Sequence, residues 1–194
     1  MSVTATTPTE RRAPARERLL AAADELFYAE GVQSVGIDRI IEHAGVAKAS
    51  LYNLFGSKEA LVSAYMESRH RGTLERLKAA VARHRDPRKR LLAVFDAQGE
   101  LFTEPGFRGC AILTATAEAA DGSIIDKAAD DYRAEMLALL TDLAREAGVA
   151  NPARLARQLH LVYDGAGVAA RMSRDPSIAR SARAAAGALL DASL

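Results

Sequence analysis

The chain has 194 residues, of which 49% are hydrophobic and 26% charged, and its formal net charge is +1. This composition fits a globular chain that can bury a core, either as one domain or as a small domain joined to a larger one. It excludes an intrachain disulfide framework, because there is one cysteine, and it excludes broad electrostatic attraction to nucleic acid, because residues 1–72 hold nine Lys/Arg against nine Asp/Glu. No apolar run approaches the roughly 18 residues of a membrane span. The lone cysteine suits a reducing compartment, and "MSVTATTPTERRAPA" lacks the apolar segment of a secretory signal, so the expected location is the cytoplasm, with no membrane partner. Aromatics are 5% and Trp is absent, leaving Ala, Leu, Val and Ile to fill the core and favouring helix over sheet.

In chain order, residues 1–12 are Thr-rich and read as a flexible arm, whose Arg11 and Arg12 are either a solvated tail or a minor-groove reach. Pro14 suits a helix start, and Gly31 stops the pattern "ARERLLAAADELFYAEG". A short helix, "IDRIIEHA", closes at Gly45, and a second short helix covers 48–54. Ser57 can cap a long helix over 57–85, ending before Pro87. Further helices are expected over 88–103, 110–120 and 123–147, the last capped by Ser123. Asn151-Pro152 starts another, and Asp175-Pro176 precedes the final one. No internal repeat and no period-two strand is visible, so the expected fold class is all-α.

The stretch "GVAKASLYNLFGSKEALVSAY", residues 45–65, carries the functional signal. An eight-residue helix, a turn with Gly and a second short helix make a helix-turn-helix, whose second helix enters the DNA major groove. At about 100° per residue, Leu51 and Phe55 lie roughly 40° apart and form an apolar seam with Val46. Ala49 and Asn53 lie roughly 160° from that seam and face outward, with Tyr52 beside them. Asn offers a donor and an acceptor to base edges, Tyr can bond a phosphate, and the small Ala49 allows close approach. Lys48 and Ser50 belong to the same helix. Lys58 stands at a helix N-terminus, where it opposes the macrodipole; a phosphate there would satisfy both the free N–H groups and the lysine. The plainer reading is that Glu59 offsets Lys58 and both are solvated.

These residues resemble the DNA-binding domain of the TetR family of transcriptional regulators. The resemblance covers residues 15–65 and rests on Gly31, "IDRIIEHAGVAKASLY" and the pattern Tyr52-x-x-Phe55-x-x-Lys58-Glu59-x-Leu61. It implies that residues 13–60 form the DNA-binding domain, that Tyr52 and Lys58 grip phosphates of double-stranded DNA, and that 61–194 bind a small-molecule effector and form a homodimer on a palindromic operator. Two positions depart from the family pattern. Gly36 replaces the usual Thr or Ser before the second helix. Leu54 replaces a frequent His and brings a hydrophobe to where a thymine methyl could be met.

The C-terminal part supplies candidates for both remaining roles. Phe95, Phe102, Cys110, Leu113, Tyr132, Met136 and Tyr163 are expected around a largely apolar ligand pocket; the plainer alternative is a filled core. Leu155, Leu159, Val162, Ala166, Ile178, Ala182, Ala185 and Leu189 step by threes and fours and are expected to form a dimer seam. Cys110 is either a small buried hydrophobe or a thiolate sensor. His160 with Tyr163 and Asp164 reads as packing, since no second ligand stands at metal spacing. Asp121, Asp126, Asp130 and Asp131 read as charges complementing a helix dipole. Gly72 inside the long helix is either a kink or a tolerated cost.

No catalytic motif, phosphate loop or metal constellation is present, so no enzyme activity, cofactor or metal is expected. The functional expectation is a homodimeric repressor released by a small apolar or aromatic ligand. The alternatives are a ligand-independent activator and a helical binding protein without an operator.

Overall fold

The structure, a computed structural model, describes residues 13–119 and 122–194, apart from the Glu118 side chain. The proposed arm 1–12, with Arg11 and Arg12, and the charge at Asp121 lie outside the described residues. Among the described residues the chain is all helical: α1 (Ala15–Glu30), α2 (Ile37–Ala44), α3 (Lys48–Phe55), α4 (Lys58–Ala82), α5 (Pro87–Phe102), α6 (Ala111–Glu118), α7 (Ile124–Glu146), α8 (Pro152–Ser173) and α9 (Ile178–Asp191). No helix among them is long and apolar enough to cross a membrane.

Helix starts follow their capping chemistry. The Ser57 hydroxyl accepts the Ala60 N–H at 3.1 Å, and Ser123 forms a reciprocal capping box with Asp126. Asn151 accepts the Arg154 N–H at 3.1 Å ahead of Pro152. The expected start at 88 moves to Pro87, because the Asp86 carboxylate accepts the Lys89 N–H at 2.8 Å and leaves proline at the first helical position, where its missing N–H costs nothing. The fourth helix ends at Ala82 instead of 85.

α1, α2 and α3 form the N-terminal unit. α4 leaves it, packing on α1 through the Phe27 and Tyr65 rings, 5.4 Å apart, and then on α5 and α7. α8 lies against α7 and α9, and α9 covers α5. The α5–α9 contact depends on Gly99, where an added Cβ would stand 2.8 Å from the Ala179 Cβ. Buried side chains from Leu19 in α1 to Leu190 in α9 form one continuous hydrophobic cluster.

Gly72 does not interrupt α4, which is helical throughout Lys58–Ala82, and a Cβ built there meets nothing within 4 Å. Glycine therefore costs helix stability at this position without relieving any clash. Gly72→Ala should stabilise the protein by about 1 kcal/mol. Thermal denaturation should show the midpoint rising by about 2–4 °C; an unchanged or lower midpoint would show that the backbone here needs glycine.

Candidate nucleic-acid interface and ligand cavity

The turn between α2 and α3 is held from two sides. Gly45 adopts the left-handed conformation, φ 61°, which glycine reaches without a Cβ penalty. The Gly45 N–H bonds the Glu42 carbonyl and the Val46 N–H bonds the Ile41 carbonyl, each at 3.1 Å. The Arg18 guanidinium of α1 donates to the carbonyls of Ala44 at 3.1 Å and Gly45 at 3.0 Å, satisfying the exposed C-terminal end of α2. Leu51 is fully buried, and Val46 and Phe55 pack partly buried against the core. The Arg16 guanidinium lies 5.2 Å from the centre of the Phe55 ring.

This anchoring turns the other side of α3 outward. Lys48, Ala49, Tyr52, Asn53 and Leu54 are exposed and Ser50 is half-buried. Lys48 donates to Asp38 at 2.8 Å, and that hydrogen bond, with the carboxylate's charge, holds its pKa above the ordinary lysine value. Lys58 is the first residue of α4. The Glu59 carboxylate is held below its ordinary range first by its own backbone N–H and then by the Ser57 hydroxyl, with the charge of Lys58 a smaller cause. Gly36 precedes α2 in extended conformation without a side-chain cap.

A cavity of about 390 Å³ lies where α1, α4, α5, α6, α7, α8 and the loop before α6 meet. Of the expected pocket residues, Phe102, Cys110, Tyr132 and Tyr163 line it; Phe95, Leu113 and Met136 do not. Phe95 shares the face of Phe102 but lies seven residues back along α5, about 10 Å away. It is buried there, with its ring centre 6.1 Å from that of Tyr163. Met136 is one turn beyond Tyr132 and fully buried. Leu113 is turned by about 100° from the inward Ile112 and is exposed, lining an outer cleft with Val168 and Met172. Cys110 borders both spaces, and burial pushes its thiol pKa up, which favours the thiol over the thiolate.

Sequence reasoning missed the polar part of the wall: Asp24, Tyr28, Arg69, Arg76 and Gln98. The Arg69 guanidinium binds Asp24 through both nitrogen–oxygen pairs, one of them at 2.7 Å, and stacks 4.0 Å from the Tyr28 ring centre. The Tyr28 hydroxyl donates to the Gly109 carbonyl at 3.0 Å and accepts the Arg108 N–H at 2.9 Å. Asp24 and Arg69 are 45 positions apart, and in sequence each looks like one more charge on an amphipathic helix.

The residues of the expected dimer seam lie mostly inside the protomer. Leu155, Leu159, Ala166 and Ala182 are buried within the protomer, and Val162, Ile178 and Leu189 pack partly buried against the same core. Their three-and-four spacing serves the packing of α8 and α9 inside the protomer. Only Ala185 of that set is exposed. α8 carries a second apolar row on its outer side: Leu161 at 73% exposure, Val168 at 48% and Met172 at 80%. On α9 the outward positions include the small residues Ser181, Ala184, Ala185 and Ala188 beside the exposed Arg180 and Arg183. His160 Nε2 lies 3.5 Å from Asp164 Oδ2 on the same helix, and no described cluster of His, Cys, Asp and Glu could hold a metal.

A short helix anchored from behind, with an outward polar and aromatic face and a lysine opening the next helix, defines a helix-turn-helix DNA-binding regulator. The family model "Bacterial regulatory proteins, tetR family" matches residues 19–65. The HTH-type transcriptional repressor NemR of Escherichia coli K12 is 30% identical over 172 residues, covering 82% of this chain and 85% of that protein. The crystal structure of SCO4454, a TetR-family transcriptional regulator from Streptomyces coelicolor, superposes with a TM-score of 0.86 at 34% identity, covering 92% and 95% of the two chains. Reduced E. coli NemR superposes with a TM-score of 0.81 at 27% identity, covering 90% and 97%. The chain belongs to the TetR family of bacterial transcriptional regulators.

The Asp24–Arg69 pair can be weighed directly. A double-mutant cycle with Asp24→Asn and Arg69→Gln should give a coupling of about 1 kcal/mol in unfolding free energy. Additive effects of the two substitutions would show that the pair contributes nothing beyond its separate solvation.

Proposed function

We propose that this regulator is a homodimeric repressor of a palindromic double-stranded DNA operator, and that a small, largely apolar or aromatic effector releases it by filling the cavity between α1 and α4. One observation carries this reading: Asp24, Tyr28 and Arg69 line the cavity and also join the DNA-binding unit to α4. An effector there touches the contacts that set how α1–α3 sit on the rest of the chain. The likeness to NemR over most of both chains, a protein named a repressor, supports the sign of regulation.

In the docked state α3 occupies the major groove. The Tyr52 hydroxyl and Lys58 ammonium bind phosphates, and Ser50 and Asn53 face base edges. Ala49 permits close approach, and Leu54 can meet a thymine methyl. Lys48 exchanges Asp38 for a phosphate, so its contribution to affinity is reduced by the pair it gives up. For release, the effector must prefer the arrangement that does not fit DNA, and a tenfold loss of operator affinity needs about 1.4 kcal/mol of preference.

A palindromic operator needs two recognition helices related by a two-fold axis. The apolar outer row of α8 and the small outward residues of α9 suit that role, because one offers hydrophobic area and the other close approach. Leu113 continues the apolar surface beside Val168 and Met172. Replacing Leu161 and Met172 with Glu should give a folded monomer in light scattering. A dimer unchanged by both charges would remove this face from the interface.

DNA docking is tested with duplexes selected by the protein from a random pool. Lys58→Ala should weaken all sequences alike and lower the slope of log affinity against log salt by about one. Asn53→Ala should relax one base position at a cost of roughly 1–3 kcal/mol. If both variants keep wild-type affinity and footprint, α3 is not placed as described.

A further inference from the structure

Resting on the reading of the cavity as the effector site, we infer that Gln98 is its recognition acceptor, and that the effector is an uncharged aromatic molecule carrying a hydroxyl or N–H donor. The charged groups in the wall are already matched. Arg69 is bound to Asp24, and Arg76 donates to Glu104 at 2.9 Å. A charged ligand would have to displace a partner from one of these pairs. Burial also pushes the Tyr132 and Tyr163 hydroxyls and the Cys110 thiol up, so all three remain neutral.

Gln98 differs from these groups. It is 4% exposed, and its Nε2 donates to the Tyr163 carbonyl at 2.7 Å. A carbonyl only accepts, so this bond fixes which end of the amide is nitrogen. The other end, Oε1, is buried and has no hydrogen-bond partner among the described residues. An enclosed acceptor left unpaired is unfavourable, and a ligand donor completes it without disturbing the bond to Tyr163. A site built around such a group discriminates strongly against analogues that lack the donor.

The aromatic body follows from the rest of the wall. Five of the chain's ten Phe and Tyr residues line this cavity: Tyr28, Phe102, Phe107, Tyr132 and Tyr163. Their ring faces and edges offer stacking and edge-on contacts to a flat ligand. A volume of about 390 Å³ accommodates a molecule of one or two rings.

Three probes of one shape separate the terms: 2-naphthol, 2-methoxynaphthalene and 2-naphthoate, titrated calorimetrically into the full chain without DNA. 2-Naphthol should bind at least tenfold more tightly than either the ether, which lacks the donor, or the carboxylate, which adds charge. Gln98→Leu should bind 2-naphthol and its ether within about twofold of each other. The wild-type comparison decides the matter even if that variant does not fold. Equal binding of the three probes, tighter binding of the carboxylate or ether, or no measurable binding of 2-naphthol would overturn the inference. So would a folded Gln98→Leu variant that keeps the tenfold preference. Retention of a selected duplex is measured separately. If 2-naphthol binds with the expected preference and the duplex stays bound, the release reading fails while the role of Gln98 stands.

Discussion

The arrangement of the two parts of this regulator turns on the Arg69 guanidinium. It reaches from α4 to the Asp24 carboxylate of α1, lies on the Tyr28 ring, and through the Tyr28 hydroxyl is connected to the loop before α6. The Phe27–Tyr65 contact behind it supplies burial, which is largely indifferent to rotation. The polar contacts supply direction. A planar cation that pairs with a carboxylate through two nitrogens and stacks on a ring at once fixes both the position and the tilt of its helix; a lysine would do neither.

The recognition unit is stabilised by a different set of contacts. α2 and α3 have eight residues each, too short to be stable alone in water. They persist because Ile40 and Leu51 are buried in the common core and because Arg18 satisfies the carbonyls at the turn. None of these groups lies on the outward face of α3. That face is therefore free to carry exposed Tyr52 and Leu54, which would be poor choices for a helix that had to stabilise itself. The residues that hold the turn are thus separate from those proposed to contact DNA, so the proposed readout positions can vary without loosening the turn.

This separation explains what the sequence made legible. Helix boundaries were readable because Ser57, Ser123 and Asn151 act locally, within three residues of the N–H they cap. The outward face of α3 was readable because one rotation per residue decides it once Leu51 is placed inside. The cavity wall was only half readable. Apolar residues such as Phe102 and Tyr132 announce burial, but which of them border empty space depends on where helix ends and loops fall. Phe95 and Met136 lie beyond the ends of that space. The polar wall was invisible because Asp24, Arg69 and Gln98 acquire their meaning from partners dozens of residues away. The α8 spacing was ambiguous for a related reason: the helix carries two apolar rows, one buried and one exposed, and periodicity alone does not say which row stays inside the protomer.

The magnitudes also fit a controllable junction. The Asp24 and Arg69 side chains are each about a third exposed, so water competes for their charges, and the pair belongs to the class worth about 1 kcal/mol and not several. A tenfold change in DNA affinity needs about 1.4 kcal/mol of ligand preference, which is of the same order. A fully buried, fully satisfied latch would hold α1 more firmly, but an effector would then need a much larger preference to move it. A junction held by burial alone would have no preferred angle for an effector to change. A polar knot about a third exposed, over an aromatic contact, lies between these limits, and on the proposed reading a few contacts made by a small molecule inside the cavity would be enough to alter how the DNA-binding unit is presented.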